Sequence, residues 1–366
     1  MFSIRSLKYL DWTLLVAVLA LAVIGVFFIH SASYQLRLST GIRFSQRQMI
    51  WLGAGLALHF LLASADYRKL LYLAYPLLGL VVGMLVLIIL TGEVRFGARR
   101  WLQLGSYNIQ PSEFAKLVLI LVLARYLSER FPERARWSFV LLPCLLAVLP
   151  AFLILKQPDL GTALIFLPLA LGMVFIAGAR LKHIIALLLI FVLLLPLFWF
   201  TIREYQRVRL LVFVNPDLDP LGAGYTVIQS KIAIGSGGLQ GKGWLGGTQN
   251  MLSFLPERQT DFIFSVVAEE WGFIGSGAVL GLFSFLIFRL FMIARRCRDL
   301  AGKFLVGGGM ILIASHVIIN VGMAMGLLPV TGLPLPFISY GGSVTVTMLA
   351  VVGLCQSVYS HRHWYW

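Results

Sequence analysis

The sequence predicts an all-α, polytopic integral membrane protein of about ten spans, and three observations predict it. Of the 366 residues, 59% are hydrophobic, and the mean hydropathy is +0.89. Apolar runs of about 20 residues recur along the chain, the length that crosses a hydrocarbon core of roughly 30 Å. The basic residues of the short loops give the spans an orientation, with one side read as cytoplasmic. No low-complexity tract, internal repeat or separate soluble domain interrupts the pattern, so residues 1–366 read as a single membrane domain.

Taken in order, the spans fall at about 11–31, 48–65, 70–90, 111–127, 137–155, 161–178, 181–200, 262–294, 304–327 and 341–359. The first run, Leu14 to Ile29, resembles the core of a signal peptide. It leads into no small-residue cleavage site and no soluble domain, so it is kept as span one. With Arg5 and Lys8 placed inside, the same side receives Arg68 and Lys69, then Arg130, Arg134 and Arg136, then Arg180 and Lys182, then Arg295, Arg296, Arg298 and Lys303. Both termini are then expected in the cytoplasm. Cys144, Cys297 and Cys355 have neither a close partner nor metal-ligand spacing, so neither a disulfide nor a zinc site is expected.

The opposite face should be poor in Lys and Arg, yet it holds Arg95, Arg99, Arg100, Lys156, Arg203, Arg207, Arg209, Lys231, Lys242 and Arg258. Part of the net charge of +15 therefore forms an outward cationic surface, suited to a phosphate-bearing ligand or to anionic lipid headgroups. Residues 201–261 form one long outer segment, too long for a simple connector. Its glycines (Gly235, Gly237, Gly238, Gly241, Gly243, Gly246, Gly247) separate short apolar pieces expected to form re-entrant or interfacial helices. Irregular backbone at membrane depth is tolerated where it lines a wet cavity, so this segment reads as a cavity wall or lid.

Acidic side chains stand at the outer ends of three spans. Asp261 opens span eight as a first-turn or capping residue, where the helix N-terminus favours its ionised form. Glu269 and Glu270 lie further along that span and must face the bundle interior or a wet cavity, because an ionised carboxylate facing lipid costs roughly 2.5–3.5 kcal/mol near the bilayer centre. At span four, Pro111 suits the first helical position, Gln110 and Glu113 resemble a capping box, and Glu113 shares a face with Lys116. Lys116, more than one turn into the span, must neutralise, snorkel or point at a polar cavity. Asp159 caps span six or joins a group of outer acids and bases. The proline-rich segment Leu328 to Ser343 is expected to face outward as a stiff connector or a groove for an extended chain, with Ser339, Tyr340 and Ser343 as hydrogen-bonding groups. No Walker loop, dinucleotide fingerprint, His-Glu-x-x-His or serine elbow is present, and His30, His59 and His316 read as structural.

Several longer motifs carry a resemblance over nearly the whole chain: GARRWLQLG from Gly97, QPSEFAK from Gln110, QPDLGT from Gln157, DPLGAGYTVIQSKIAIGSGGLQGKGWLGGTQ from Asp219, FLPERQTDFIFSVVAEEWGF from Phe254 and GLPLPFISYGGS from Gly332. Through them the chain resembles the SEDS family (shape, elongation, division and sporulation), and its GKGWLGGTQ segment is more like the elongation branch than the division branch. The resemblance implies ten membrane helices, polymerisation of lipid II into a growing glycan strand, and a class B penicillin-binding protein as transpeptidase partner. It further implies other elongation-complex membrane proteins and membrane lipids as neighbours, no nucleic acid, and a bacterial cytoplasmic membrane with the active site on the outer face. The essential aspartate of the family's DFIF motif maps onto Asp261. An α-linked donor and a β-1,4 product call for one inverting displacement, for which one base suffices, because a diphosphate leaving group needs charge stabilisation rather than a proton. Asp261 is assigned as that base. Arg99, Arg100, Lys116, Lys156, Arg207, Arg209, Lys231, Lys242 and Arg258 are candidates for holding diphosphates. Glu113 and Asp159 are expected to orient Lys116 or to bind a divalent cation, magnesium or manganese, with Glu269 as a further supporting acid. A lipid II flippase and a non-catalytic scaffold for the transpeptidase stand as alternatives.

Overall fold

The computed structural model describes residues 9–91, 100–104, 107–201, 204–219 and 222–361. Among them are ten long helices: α1 (Trp12–Ala32), α2 (Phe44–Ser64), α3 (Ala74–Thr91), α4 (Pro111–Glu129), α5 (Ser138–Lys156), α6 (Leu160–Ile176), α7 (Leu181–Thr201), α8 (Ile263–Arg296), α9 (Leu300–Ala324) and α10 (Gly342–His361). Each coincides with one expected span to within a few residues. Apolar side chains that cannot remain in water, and a backbone that must satisfy its own hydrogen bonds in hydrocarbon, leave helix as the local solution.

α4 and α9 form the centre. α4 packs on α3, α5, α6, α9 and α10, and α9 packs on α4, α6, α8 and α10. Their apolar side chains, among them Leu119, Val122, Leu123, Leu305, Leu312 and Ile313, are buried. α7 touches the bundle chiefly through α6, and Leu188, Leu189, Val192 and Leu193 stand exposed along it, as suits a helix solvated by lipid.

Hydrogen bonds identify the two ends of the bundle. At one end Asp11 exchanges main-chain bonds with the Gln356 amide and pairs with Arg289, while Tyr67 donates to Asp299 at 2.8 Å. The arginine-rich loops lie at this end. At the other end lie a two-stranded hairpin, β1 (Leu102–Leu104) with β2 (Tyr107–Ile109), and the long segment before α8. That segment contains short helices at Glu204–Val214 and Ala223–Ser236, which precede most of its glycines, and at Thr248–Met251, which follows them.

α8 is 34 residues long, about 51 Å if straight, against a hydrocarbon core of about 30 Å. It breaks at Gly272, whose φ of 66° lies in the left-handed region. The glycine-rich segment fills the break. The N–H groups of Phe273 and Ile274 donate to the carbonyls of Gly238 and Leu239 (2.9 and 3.1 Å), while the carbonyls of Glu269 and Glu270 accept from the N–H groups of Lys242 and Gly243 (3.0 Å each). Main chain can approach main chain this closely only where side chains are absent: a Cβ on Gly241 would overlap the Glu270 carbonyl.

The proline-rich segment corrects an expectation. It does not lie over the surface of that end of the bundle but threads into it, burying Leu333, Leu335, Phe337 and Ile338. Each proline removes an N–H that burial would otherwise leave unpaired. The carbonyls of Leu333 and Pro334 are met by side chains from α9, and that of Val330 by Arg209 from the helix Glu204–Val214.

Candidate active site

Asp261 sits in the turn that enters α8. Its N–H donates to the Glu257 carbonyl at 3.0 Å, and its own carbonyl accepts from the Asn320 amide at 2.8 Å. The helix cap is Phe262, and no side chain caps it, so the expected capping role for Asp261 is corrected. The turn places the carboxylate one residue too early to reach the first free N–H groups, and directs it instead towards the proline-rich segment. A Cβ built on Gly332 would meet Oδ2 at 3.4 Å, and Gly332 has a φ of 76°, which suits glycine. Burial pushes the Asp261 carboxyl up to about 6; the neighbouring Glu257 charge adds to this and the Arg209 guanidinium opposes it. The stabilisation expected from the helix N-terminus is outweighed by loss of water. A carboxylate so placed is largely ionised at neutral pH yet more basic than usual, which suits a general base.

One turn of α9 away from Asn320, His316 belongs to a buried ionic group. The Lys116 ammonium donates to Oε1 of Glu113 (2.8 Å), lies 2.7 Å from Oε2 as an ion pair, and meets Nε2 of His316 at 3.0 Å. Glu113, Lys116 and His316 are all at most 1% exposed. Gln110 makes no side-chain cap to α4, so the expected capping box is replaced by this pair: in a dry bundle a carboxylate gains more from an ammonium than from a backbone N–H. The Gln110 amide donates instead to Asp159 at 3.1 Å. Asp159 caps α6 by accepting from the Thr162 N–H (3.2 Å) and hydroxyl (3.0 Å), and Arg100 approaches its other side at 3.8 Å while donating to the Pro158 carbonyl.

These partners bear on the divalent cation. Both Glu113 oxygens lie close to an ammonium and both Asp159 oxygens face donors, so a magnesium or manganese ion at this pair would have to compete with partners already in place. Among the described residues, no group of three or more His, Cys, Asp and Glu side chains is arranged to hold a metal.

The remaining candidates divide. Arg209 and Lys231 line one pocket with Gly326, Pro329 and Val330, at the mouth of the proline-rich segment. Lys242 pairs with Glu269 at 2.9 Å, and Glu269 also accepts from the N–H groups of Gln249 and Asn250 (2.9 and 3.3 Å), so this pair holds the glycine-rich segment rather than the Asp261 pocket. Glu270, as expected, faces inward, to Ser31 and Asn250. Arg258 is buried and donates to the Ala32 carbonyl at the end of α1 (2.6 Å). Arg207 donates to the Phe200 carbonyl, and the Lys156 ammonium lies 5.3 Å from the Phe152 ring. Ser339 accepts from the Leu335 N–H, Ser343 from the Gln110 N–H, and the Tyr340 N–H donates to the Gln259 carbonyl, so these three tie the loop to its own surroundings. Arg99 lies outside the described residues. Asn320 escaped the sequence reading and His316 was read only as structural, although two polar residues four apart inside an apolar span share one helix face and signal an interior polar site.

Known proteins place this arrangement among relatives. The family model of the FtsW/RodA/SpoVE cell cycle proteins matches residues 12–363. Over 356 residues the chain is 40% identical to the peptidoglycan glycosyltransferase MrdB of Escherichia coli K12, covering 97% of this chain and 94% of that one. Among solved structures it is similar to a chain of a peptidoglycan synthase complex described as coordinating polymerization and crosslinking, with a TM-score of 0.83 and 39% identity over 97% of this chain and 98% of that one. The rod-shape-determining protein RodA of Thermus thermophilus matches with a TM-score of 0.72 and 34% identity at the same coverage.

Proposed function

The chain belongs to the FtsW/RodA/SpoVE family of cell cycle proteins, and we propose that it polymerises lipid II with Asp261 as general base. It is a multi-pass membrane protein and a peptidoglycan glycosyltransferase serving cell elongation and rod shape. The observation that carries the mechanism is the Asp261 carboxylate. It is spent on no cap, is held near a pKa of about 6, and sits where the membrane helices meet the long polar segment.

In this reading Asp261 takes the proton of the acceptor 4-hydroxyl as that oxygen attacks C1 of the donor sugar. The C1–O bond to the diphosphate breaks, the polyprenyl diphosphate leaves with the electron pair, and the α linkage becomes β. Arg209 and Lys231, lining the pocket nearest the proline-rich segment, are the cations best placed to receive the departing charge. The reacting face is the outer face of the bacterial cytoplasmic membrane, and a class B penicillin-binding protein is the transpeptidase partner. Polyprenyl tails lie in lipid-facing grooves between helices, which accounts for a catalyst embedded in the bilayer.

The test is polymerisation of purified lipid II by the purified protein with its cognate transpeptidase. Wild type is expected to make polymer, while Asp261→Ala and Asp261→Asn lose at least about 100-fold in rate although folded and partner-bound. Equal polymer from all three removes Asp261 as base. No polymer from any favours a flippase or a scaffold.

A further inference from the structure

Within its apolar length α9 carries His316 and Asn320, four residues apart on one face and both 0% exposed. Polar side chains in a span are costly unless matched. These two are matched to consecutive carbonyls of the proline-rich segment: His316 Nδ1 to Pro334 (3.2 Å) and Asn320 Nδ2 to Leu333 (2.7 Å). The second N–H of the same Asn320 amide goes to the Asp261 carbonyl at 2.8 Å. The Ser265 N–H bonds the Phe262 carbonyl, so the Asp261 carbonyl takes its hydrogen bond from Asn320 instead of from the helix it precedes. A ring that donates through Nδ1 to a carbonyl and accepts through Nε2 from the Lys116 ammonium is neutral, its tautomer assigned by its partners.

One line of hydrogen bonds thus runs from Glu113 through Lys116 and His316 to Pro334, and from the adjacent Leu333 through Asn320 to Asp261. The Asn320 side chain also leaves its Oδ1 buried without a partner. A leucine would fill the space without that cost, so its two donors are what the site uses.

We infer that Asn320 is a positioning residue for glycosyl transfer: its amide sets the place of Asp261 against the proline-rich segment, and His316 extends the same brace to Lys116. The inference rests on Asp261 acting as base. Displacing a reacting group by about 1 Å costs on the order of 100-fold in rate, so loss of the clamp acts on turnover rather than on binding.

The experiment measures lipid II polymerisation by Asn320→Leu, which removes both donors, and Asn320→Asp, which keeps the shape and turns a donor into an acceptor. Both are assayed with the transpeptidase bound, beside wild type and Asp261→Asn. The expected result is a kcat lower by about 100-fold in each, a KM within about two-fold of wild type, and an acidic limb of the pH profile displaced from about 6. That displacement reports altered exposure of Asp261 to water and to the charges around it: Glu257 on its own turn, Arg209 on the helix Glu204–Val214, and Asp159 at the start of α6. A wild-type kcat in either variant overturns the inference. So does a kcat loss matched by a fall in thermal midpoint with the pH limb unmoved, which marks a merely structural role. Polymer at the wild-type rate from Asp261→Asn is a different result, and it removes the base assignment itself.

Discussion

At the residue scale, the proposed chemistry turns on what a single carboxylate is bonded to. Glu269 and Asp159 have their oxygens occupied by helix N–H groups, and Glu113 by an ammonium, so each is held in a fixed ionic or capping role. Asp261 has been kept from capping by one residue of register, and burial then raises its carboxyl to about 6. Two outcomes follow from that value. The free-enzyme rate, kcat/KM, should have an acidic limb with a midpoint near 6 and fall about tenfold for each pH unit below it, because the base must be unprotonated; a pH profile of polymerisation checks this. The same group binds its proton more tightly folded than unfolded, where it titrates near 3.8. Ionising it therefore costs stability, a cost absent below about pH 4 and complete above about pH 7. Asp261→Asn is accordingly expected to raise the thermal midpoint by about 2–5 °C at pH 7.5 and to leave it unchanged at pH 4, as thermal unfolding in detergent will show.

At the element scale, α8 and the glycine-rich segment form one unit. The helix gives up its internal hydrogen bonds at Gly272 and recovers them from residues 238–243, so two weak motifs become a single rigid one. Gly241→Ala would place a methyl group on the Glu270 carbonyl at a φ of 81°, and is expected to cost roughly 2–4 kcal/mol. Gly235→Ala meets nothing within 4 Å near the end of the helix Ala223–Ser236, and is expected to be neutral or stabilising by up to about 1 kcal/mol. Thermal midpoints of the two variants separate close backbone approach from glycine-rich composition as such. The ten spans were legible because hydrophobic run length is a local property. The fate of the proline-rich segment was not: alternating prolines predict an extended chain equally well on a surface or inside, and burial depended on donors supplied by His316 and Asn320 from another helix.

At the scale of the whole molecule, the charges sort to two ends, with α4 and α9 joining them through an apolar middle. Loops rich in arginine close one end, where Arg125 lies over the Tyr75 ring and Tyr67 bonds Asp299. The acids and bases of the candidate site close the other. If the first end is cytoplasmic, a cysteine at Ala135 should be shielded from a membrane-impermeant maleimide in intact cells and one at Gln240 should react, with Cys144, Cys297 and Cys355 replaced by alanine in both. The opposite labelling would invert the orientation and remove the outer-face assignment. Hydropathy and loop charge by themselves determined the membrane class and the ten spans, since each is written in consecutive residues, whereas Asp261 stood out as a candidate base only through the resemblance carried by the DFIF motif. Only the tertiary structure decided that Asp261 is not a cap, that Lys116 is shared between Glu113 and His316, and that Asn320 clamps the Asp261 carbonyl. Those outcomes depend on which polar groups meet across helices once water is excluded, and residues 59 positions apart in the chain carry no local trace of their contact.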